Sequence, residues 1–86
     1  MATYEIAWKA SALRELRRLD RQVVPRVVKA VESLSRNPFP AGVRKLQGAE
    51  GTYRIRVGDH RIVYEVYQRV LLIEVIRVRR RKDVSR

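Results

Sequence analysis

The sequence predicts an α+β fold in a single domain over residues 1–86, with an N-terminal strand, an antiparallel hairpin of two helices and a three-stranded antiparallel meander. Residues 3–8 alternate between two sides, one of which carries Tyr4, Ile6 and Trp8, as in a half-buried strand. Apolar residues at helical spacing follow, and a two-residue periodicity begins at Thr52. We expect the strands to form one sheet with the helices packed on one of its faces.

Two amphipathic helices account for the segment after the first strand. Ser11 is a suitable N-cap for the first helix, which Asp20 ends. The second begins between Gln22 and Pro25, because proline is tolerated in the first helical turn, and Asn37-Pro38 ends it. The apolar stripes consist of Leu13, Leu16 and Leu19 in the first helix, and of Val24, Val27, Val28, Val31 and Leu34 in the second. Residues 37–51 contain most of the Pro and Gly and predict an irregular loop.

The composition excludes several kinds of site. The chain has no Cys, which rules out disulfides, thiolate nucleophiles and zinc–thiolate centres. His60 is the single histidine, too few for a transition-metal site, so we expect neither a metal nor a cofactor. The sequence encodes no signal peptide and no long apolar stretch, which predicts a cytoplasmic protein with no membrane partner.

The charge indicates a polyanionic partner. Twenty Lys and Arg residues against nine Asp and Glu residues give a formal net charge of +11. Sixteen of the twenty cations are Arg, whose guanidinium group binds phosphate with two parallel hydrogen bonds. Nucleic acid, a ribosome or an acidic protein segment would suit this surface, and the alternative is a basic surface that only keeps a small protein soluble.

The turn at Gly58-Asp59 sets the register of the first predicted hairpin. Glycine in the first position of a two-residue loop favours a type II′ turn. With this turn, Ile55 lies opposite Ile62 and Tyr53 opposite Tyr64. These pairs form an apolar face that the helices can cover.

The other face of the same hairpin gathers arginines. Arg56 lies directly across from Arg61, and Arg54 follows two residues along the same strand. Like charges placed opposite each other destabilise a sheet. We therefore interpret the three guanidinium groups as a phosphate clamp, a site where they bind one phosphate group together. A solvated charged face is the alternative.

The last strand poses a problem of register. A tight turn at Gln68-Arg69 is expected to join the second strand to a last strand that runs from Val70 to about Val78. The resulting pairs are Tyr64 with Ile73 and Ile62 with Val75. Strict alternation would then bury Arg77, Arg79 and Arg81, so this strand must end or bulge near Arg77.

A clamp of this kind could cleave RNA, because the 2′-hydroxyl of the RNA itself is the nucleophile. Cations stabilise the charge that develops on the phosphorane. Arginine is a poor general base, since its pKa is so high. His60 is the one side chain suited to proton transfer near neutrality, but its position in the alternation points it toward the helices, and we interpret it as structural.

The chain resembles the RelE branch of the RelE/ParE toxin superfamily. The resemblance lies in Lys45-Leu46-Gln47-Gly48, in the segment from Tyr53 to Tyr64, and in Arg81-Lys82-Asp83-Val84. The order of elements and the length also match, so that the resemblance covers essentially the whole chain. It implies a toxin of a type II toxin–antitoxin pair that cuts mRNA in the ribosomal A site, leaving a cyclic phosphate without a metal.

The resemblance also implies site residues and partners. The residues that hold and activate the scissile phosphate fall on Arg54, Arg56, Arg61 and Arg81. Lys45 would be an auxiliary RNA contact. Apart from the resemblance, we expect Arg79, Arg80 and Lys82 of the basic C-terminal cluster to bind RNA as well. The implied partners are the ribosome, mRNA and an acidic antitoxin, with operator DNA contacted only through the antitoxin.

Two departures from the family pattern leave other functions open. The family usually has a base-stacking Tyr where this chain has Ser85, and it often has Gly-His where this chain has Arg79-Arg80. Loss of the stacking ring removes about 1–3 kcal/mol per base and would slow cleavage. The alternatives are a ParE-like toxin that poisons DNA gyrase without nuclease activity, and an accessory protein that only binds RNA.

Overall fold

Seven elements form residues 3–80, the part of the chain that the computed structural model describes. The helices are α1 (Ala10–Arg17) and α2 (Val23–Ser33). The strands are β1 (Glu5–Trp8), β2 (Arg44–Lys45), β3 (Thr52–Val57), β4 (His60–Tyr67) and β5 (Leu72–Arg80). The strands make one five-stranded sheet in the order β1-β5-β4-β3-β2. The α+β class with two helices is confirmed, and the sheet has one strand more than the sequence predicts.

The additional strand, β2, lies in the segment that was expected to be an irregular loop. Arg44 pairs with Arg54 and Lys45 with Tyr53, both antiparallel. Two residues are too few to show a two-residue periodicity, so the sequence alone carries no sign of this strand. Its pairing depends on the free edge that β3 offers.

The strand β1 lies at the opposite edge, parallel to β5. The two helices and three strands that separate β1 from β5 in the chain make this parallel pairing possible, since parallel neighbours need a long connection. The three remaining pairings, β2–β3, β3–β4 and β4–β5, are antiparallel.

The start of α1 differs from the expectation. Lys9, and not Ser11, is the N-cap residue, and no side chain caps the helix. The backbone N–H of Lys9 donates to the carbonyl of Val75 at 3.0 Å, so pairing with β5 fixes the point at which the chain turns into the helix. The helix α2 begins at Val23, within the predicted range, and ends at Ser33, earlier than Asn37-Pro38.

The core lies between the two helices and one face of the sheet. The buried apolar residues are Ala12, Leu16, Val27, Val31, Leu34, Ile55, Ile62, Tyr64, Ile73, Val75 and Val78. The remaining members of the predicted helical stripes (Leu13, Leu19, Val24 and Val28) are partly buried against this cluster. The side chains of Ile55, Ile62 and Tyr64 are therefore covered, as the predicted hairpin register requires.

The second hairpin has a longer turn than predicted, and its pairs are shifted. Residues 68–71 form the turn, in which Leu71 has a φ of 53°. Tyr64 consequently faces Val75 and Ile62 faces Val78, so the expected pairs with Ile73 and Val75 are wrong. Leu71 gives no sign of this turn, because left-handed backbone is unusual for a branched residue.

The predicted irregularity near Arg77 is confirmed as a β-bulge. The register shifts between Val63 and Tyr64, which face Arg77 and Val75 on β5, so that Ile76 is the extra residue. After the bulge, Val78 is 2% exposed and lies on the core face. The bulge thus keeps the arginine-rich end of β5 out of the core.

The buried Tyr64 ties the sheet to the segment after α2, and its removal should be measurable. Its hydroxyl donates a hydrogen bond to the carbonyl oxygen of Pro38 at 2.7 Å. We expect Tyr64→Phe to lower the free energy of unfolding by about 1 kcal/mol, because the carbonyl loses its partner. Urea unfolding measures this loss. Tyr4→Phe, at a tyrosine whose hydroxyl makes no hydrogen bond within residues 3–80, is the control and should change stability little. Equal stability of Tyr64→Phe and the unsubstituted protein would contradict the assignment.

The same hydroxyl should make stability depend on pH in the alkaline range. Burial, together with the neighbouring Tyr53, raises the pKa of Tyr64 from 10 to about 12. The stability that the protonated hydroxyl contributes is complete below pH 10 and is lost as the pH rises through 12. The difference in stability between the unsubstituted protein and Tyr64→Phe should therefore fall across this interval in urea titrations. A difference that stays constant across it would contradict the pKa.

Candidate nucleic-acid site on the open sheet face

The face of the sheet opposite the helices carries the predicted arginine cluster. Arg56 faces Arg61 across β3 and β4, and Arg54 lies on the same face opposite Val63. The residues that alternate with them, Ile55 and Ile62, are 8% and 0% exposed on the core side. The register predicted from the Gly58-Asp59 turn is therefore confirmed, and so is the shared face of the three arginines.

A cleft of about 290 Å³ lies over these residues. Its lining consists of Gly42, Arg44, Arg54, Ile55, Arg56 and Arg61. Four of the six are arginines, and none is acidic. A concave site with converging guanidinium groups suits a phosphate group, because each guanidinium offers several donors in one plane.

Sequence reasoning missed one member of this cleft, Arg44. It joins the cluster because it pairs with Arg54, and cross-strand partners lie on the same face of a sheet. Only the β2–β3 pairing places it there. The two consecutive basic residues Arg44 and Lys45 in this loop were the one available signal.

Three of the four arginines in the cleft, Arg44, Arg54 and Arg56, form no ion pair with a carboxylate within residues 3–80. Glu65 follows Val63 on the same face of β4, but it is engaged elsewhere. Tyr67 donates its hydroxyl hydrogen to one Glu65 oxygen, and Thr52 Oγ1 lies 3.5 Å from the other. The hydrogen bond to Glu65 is the main reason that the pKa of Tyr67 rises to about 12.

Arg79 belongs to the same face of the sheet but is held by a helix. It pairs with Arg61 across β4 and β5. Its Nε donates to Oε2 of Glu15 on α1 at 3.1 Å, and Oε1 of Glu15 accepts the backbone N–H of Val78 at 2.7 Å. The carboxylate thus binds both a backbone N–H and an arginine side chain of β5.

Two other predicted RNA-binding residues, Lys45 and Arg80, lie apart from the cleft. Arg80 faces His60 and, with Arg18 and Leu19, lines a separate cleft of about 300 Å³ between α1 and β5. Lys45 is exposed opposite Tyr53 and borders a depression in the loop over residues 45–50. Arg81, Lys82 and Ser85 lie outside the described residues, and so does any contact that they make.

His60 is buried at the start of β4, which agrees with its expected position on the helix side. Within residues 3–80, no group of three His, Cys, Asp or Glu side chains is arranged to hold a metal ion.

Comparison with known proteins decides the family. The family model described as "ParE toxin of type II toxin-antitoxin system, parDE" matches residues 6–84. The chain belongs to the RelE/ParE superfamily of type II toxins. The resemblance predicted from the sequence is confirmed.

Two proteins that are similar to this toxin in sequence are described as RelE-type toxins. An Escherichia coli protein described as a putative RelE-like toxin is 32% identical over 85 residues, which cover 94% of this chain and 88% of the relative. Toxin RelE of Mycobacterium tuberculosis is 33% identical over 79 residues, 91% of this chain and 81% of the relative.

Solved structures show the same fold. The RelE–RelB complex of Pyrococcus horikoshii matches with a TM-score of 0.82 at 26% identity, over 92% of this chain and 96% of that one. The isolated E. coli RelE toxin matches with a TM-score of 0.78 at 26% identity, over 90% of this chain and 83% of that one. Within residues 3–80 of this toxin, no helix has the length and apolar character to cross a membrane.

Repulsion within the arginine cluster should lower the free energy of unfolding of the toxin. We expect Arg56→Gln to raise the free energy of unfolding by about 0.5 kcal/mol at low salt, because it removes the like charge opposite Arg61. The gain should shrink at about 0.5 M salt, since screening weakens the repulsion. Urea unfolding at both salt concentrations measures it. Arg69→Gln, in the exposed turn over residues 68–71, is the control and should change little. A gain that salt leaves unchanged would show that charge repulsion is not its cause.

Proposed function

We propose that this toxin is a ribosome-dependent endoribonuclease that cuts mRNA in the ribosomal A site. The observation that carries the proposal is the cleft on the open face, which is lined by four arginines and by no acidic side chain. Converging cations stabilise the negative charge that develops on a phosphorane transition state.

The proposed reaction is an attack by the RNA 2′-oxygen on the adjacent phosphorus. The bond from phosphorus to the 5′-oxygen breaks, leaving a 2′,3′-cyclic phosphate on one fragment and a 5′-hydroxyl on the other. The proton of the 2′-hydroxyl leaves to a general base or water, and the departing 5′-oxygen takes up a proton. Because the nucleophile belongs to the substrate, the protein supplies mainly charge and position.

We assign each arginine a role from its position in the sheet. Arg56 and Arg61 face each other and would bind the two non-bridging oxygens of the scissile phosphate from opposite sides. Arg54, two residues along β3, would bind the same phosphate or the leaving group. Arg81 is the fourth catalytic residue in this proposal, carried over from the family resemblance.

The ribosome has a necessary part in this proposal. Arginine is a poor general base, so the cluster stabilises charge strongly but removes the 2′-proton poorly. Rate enhancement must then come largely from holding the RNA with its 2′-oxygen in line for attack, which an ordered codon in the A site provides. Naked RNA should be cut slowly.

We further propose that an acidic antitoxin neutralises the toxin. Similar solved structures include complexes described as RelBE2 of M. tuberculosis and RelE–RelB of P. horikoshii. A partly disordered acidic segment that folds on binding could cover the cationic cleft or distort it. Such a segment would also relieve the repulsion among the arginines.

A second candidate is a ParE-like toxin that poisons DNA gyrase by binding alone. The name of the matching family model favours it. A gyrase binder has no need of Arg56 and Arg61 facing each other in one cleft, whereas phosphate cleavage does. An accessory RNA-binding protein, the third candidate, would bind RNA and leave growth unaffected.

Arg61→Ala should separate these functions. We expect the substitution to abolish growth arrest on expression in bacteria, because a transition-state contact is lost. The far-UV circular dichroism spectrum should be unchanged, and the cognate antitoxin should still bind. Arg69→Ala, in the turn over residues 68–71, is the matched control and should arrest growth as the unsubstituted toxin does.

A folded Arg61→Ala protein that still arrests growth would remove the phosphate-cleavage proposal. Inhibition of gyrase supercoiling by both the unsubstituted toxin and Arg61→Ala would then support the ParE-like alternative. Absence of growth arrest by the unsubstituted toxin would support the accessory RNA-binding protein.

A further inference from the structure

The bulge in β5 turns Arg77 to the open face of the sheet. Arg77 faces Val63, which lies between Arg61 and Glu65 on that face of β4. Val78, the next residue, faces Ile62 and is 2% exposed on the core side. Without the bulge, the alternation that buries Ile73 and Val75 would have directed Arg77 into the core.

Arg77 completes a row of residues that crosses four strands. Arg44 on β2 faces Arg54 on β3, Arg54 faces Val63 on β4, and Val63 faces Arg77 on β5. Neighbouring strands lie about 4.8 Å apart, so the row spans about 14 Å. We call these four residues the cross-strand row.

The cross-strand row runs beside the proposed catalytic arginines. Arg56 and Arg61 occupy the next row of the same face, two residues along each strand and therefore about 7 Å away. Arg44 and Arg77 stand at the two ends of the cross-strand row, on either side of the clamp. Neither belongs to the catalytic set that the family resemblance implies.

Acidic residues bound the cross-strand row on its other side. Glu65 faces Glu74 one row further along β4 and β5. Within residues 3–80, no carboxylate forms an ion pair with Arg44, Arg54 or Arg77. An anionic chain on this face is therefore attracted across the strands and repelled if it continues along them toward the turn over residues 68–71.

We propose that Arg44 and Arg77 bind the phosphates that flank the scissile one, so that a single RNA strand crosses the sheet from β2 to β5. This inference rests on the proposed function. The half-buried Val63 separates Arg54 from Arg77, so the part of the row on β3, β4 and β5 consists of a cation, an apolar surface and a second cation. RNA carries a ribose and a base between successive phosphates and so matches this part of the row, whereas an acidic peptide offers no such regular apolar partner.

The experiment measures binding without cleavage. A short fluorescent RNA with 2′-O-methyl groups throughout cannot react, and anisotropy gives its affinity for the full-length toxin from roughly 50 to 200 mM salt. Arg44→Ala and Arg77→Ala should each weaken binding by about 5-fold at roughly 0.1 M salt and should reduce the slope of log affinity against log salt by about 0.7. Arg69→Ala is the matched control for a general loss of charge and should reduce the slope less.

A gain-of-function variant guards against loss through misfolding. Glu74→Gln removes a charge from the boundary of the row and should tighten binding of the same RNA. Unchanged or weaker binding by a folded Glu74→Gln protein would contradict a path bounded by Glu65 and Glu74.

The outcomes separate this inference from the proposed function. In one outcome, Arg44→Ala and Arg77→Ala bind RNA as Arg69→Ala does, while Arg54→Ala and Arg56→Ala bind it more weakly. The path across the strands is then wrong, and the phosphate clamp is supported. If none of the four differs from Arg69→Ala, both are wrong. Poly-glutamate is then tested as a competitor of the labelled RNA. If it competes as strongly as unlabelled RNA of equal charge, the cross-strand row binds an acidic protein segment and its assignment to RNA is wrong.

Discussion

The register of the β3–β4 hairpin is the constraint on which the site depends. Gly58 has a φ of 60°, as the first position of a type II′ turn requires, and the two-residue turn admits one pairing of the strands. That pairing buries Ile55 against Ile62 and at the same time brings Arg56 opposite Arg61. A slip of one residue would exchange the two faces, burying the arginines and exposing the core.

Core burial therefore maintains an arrangement of charge that is unfavourable by itself. The repulsion between Arg56 and Arg61 opposes folding, and the apolar side chains on the other face of the same strands outweigh it. Two nearby carboxylates have other partners, because Tyr67 donates a hydrogen bond to Glu65 and Glu15 binds Arg79 at the edge of β5. A bound polyanion would remove the repulsion, so binding and stability are coupled in this toxin.

The sequence predicted the parts of the fold that depend on local pattern. The first hairpin follows from the alternation of apolar and polar residues. The start of α2 follows from the tolerance of Pro25 in a first helical turn. The bulge near Arg77 follows from the cost of burying an arginine. The clamp residues Arg54, Arg56 and Arg61 followed from the same register. Assignment of the family added Arg81, which no local pattern singles out.

The predictions that were wrong concern features that depend on contacts between residues far apart in the chain. Ser11 has the chemistry of an N-cap, but the hydrogen bond from Lys9 to Val75 of β5 starts α1 two residues earlier than such a cap would. The strand β2 exists because β3 offers an edge, and Arg44 enters the cleft with it. The pairs of the second hairpin shifted because Leu71 adopts a left-handed conformation that its side chain disfavours.

Primer extension on an mRNA in a purified translation system tests most directly whether the arginine cleft is a ribosome-dependent nuclease. We expect new 5′ ends at the codon in the A site when the ribosome is occupied, and far fewer on the same RNA without ribosomes. Cleavage that is equally efficient on naked RNA would contradict the role of the ribosome. No cleavage under either condition, by a toxin that arrests growth, would contradict the nuclease itself.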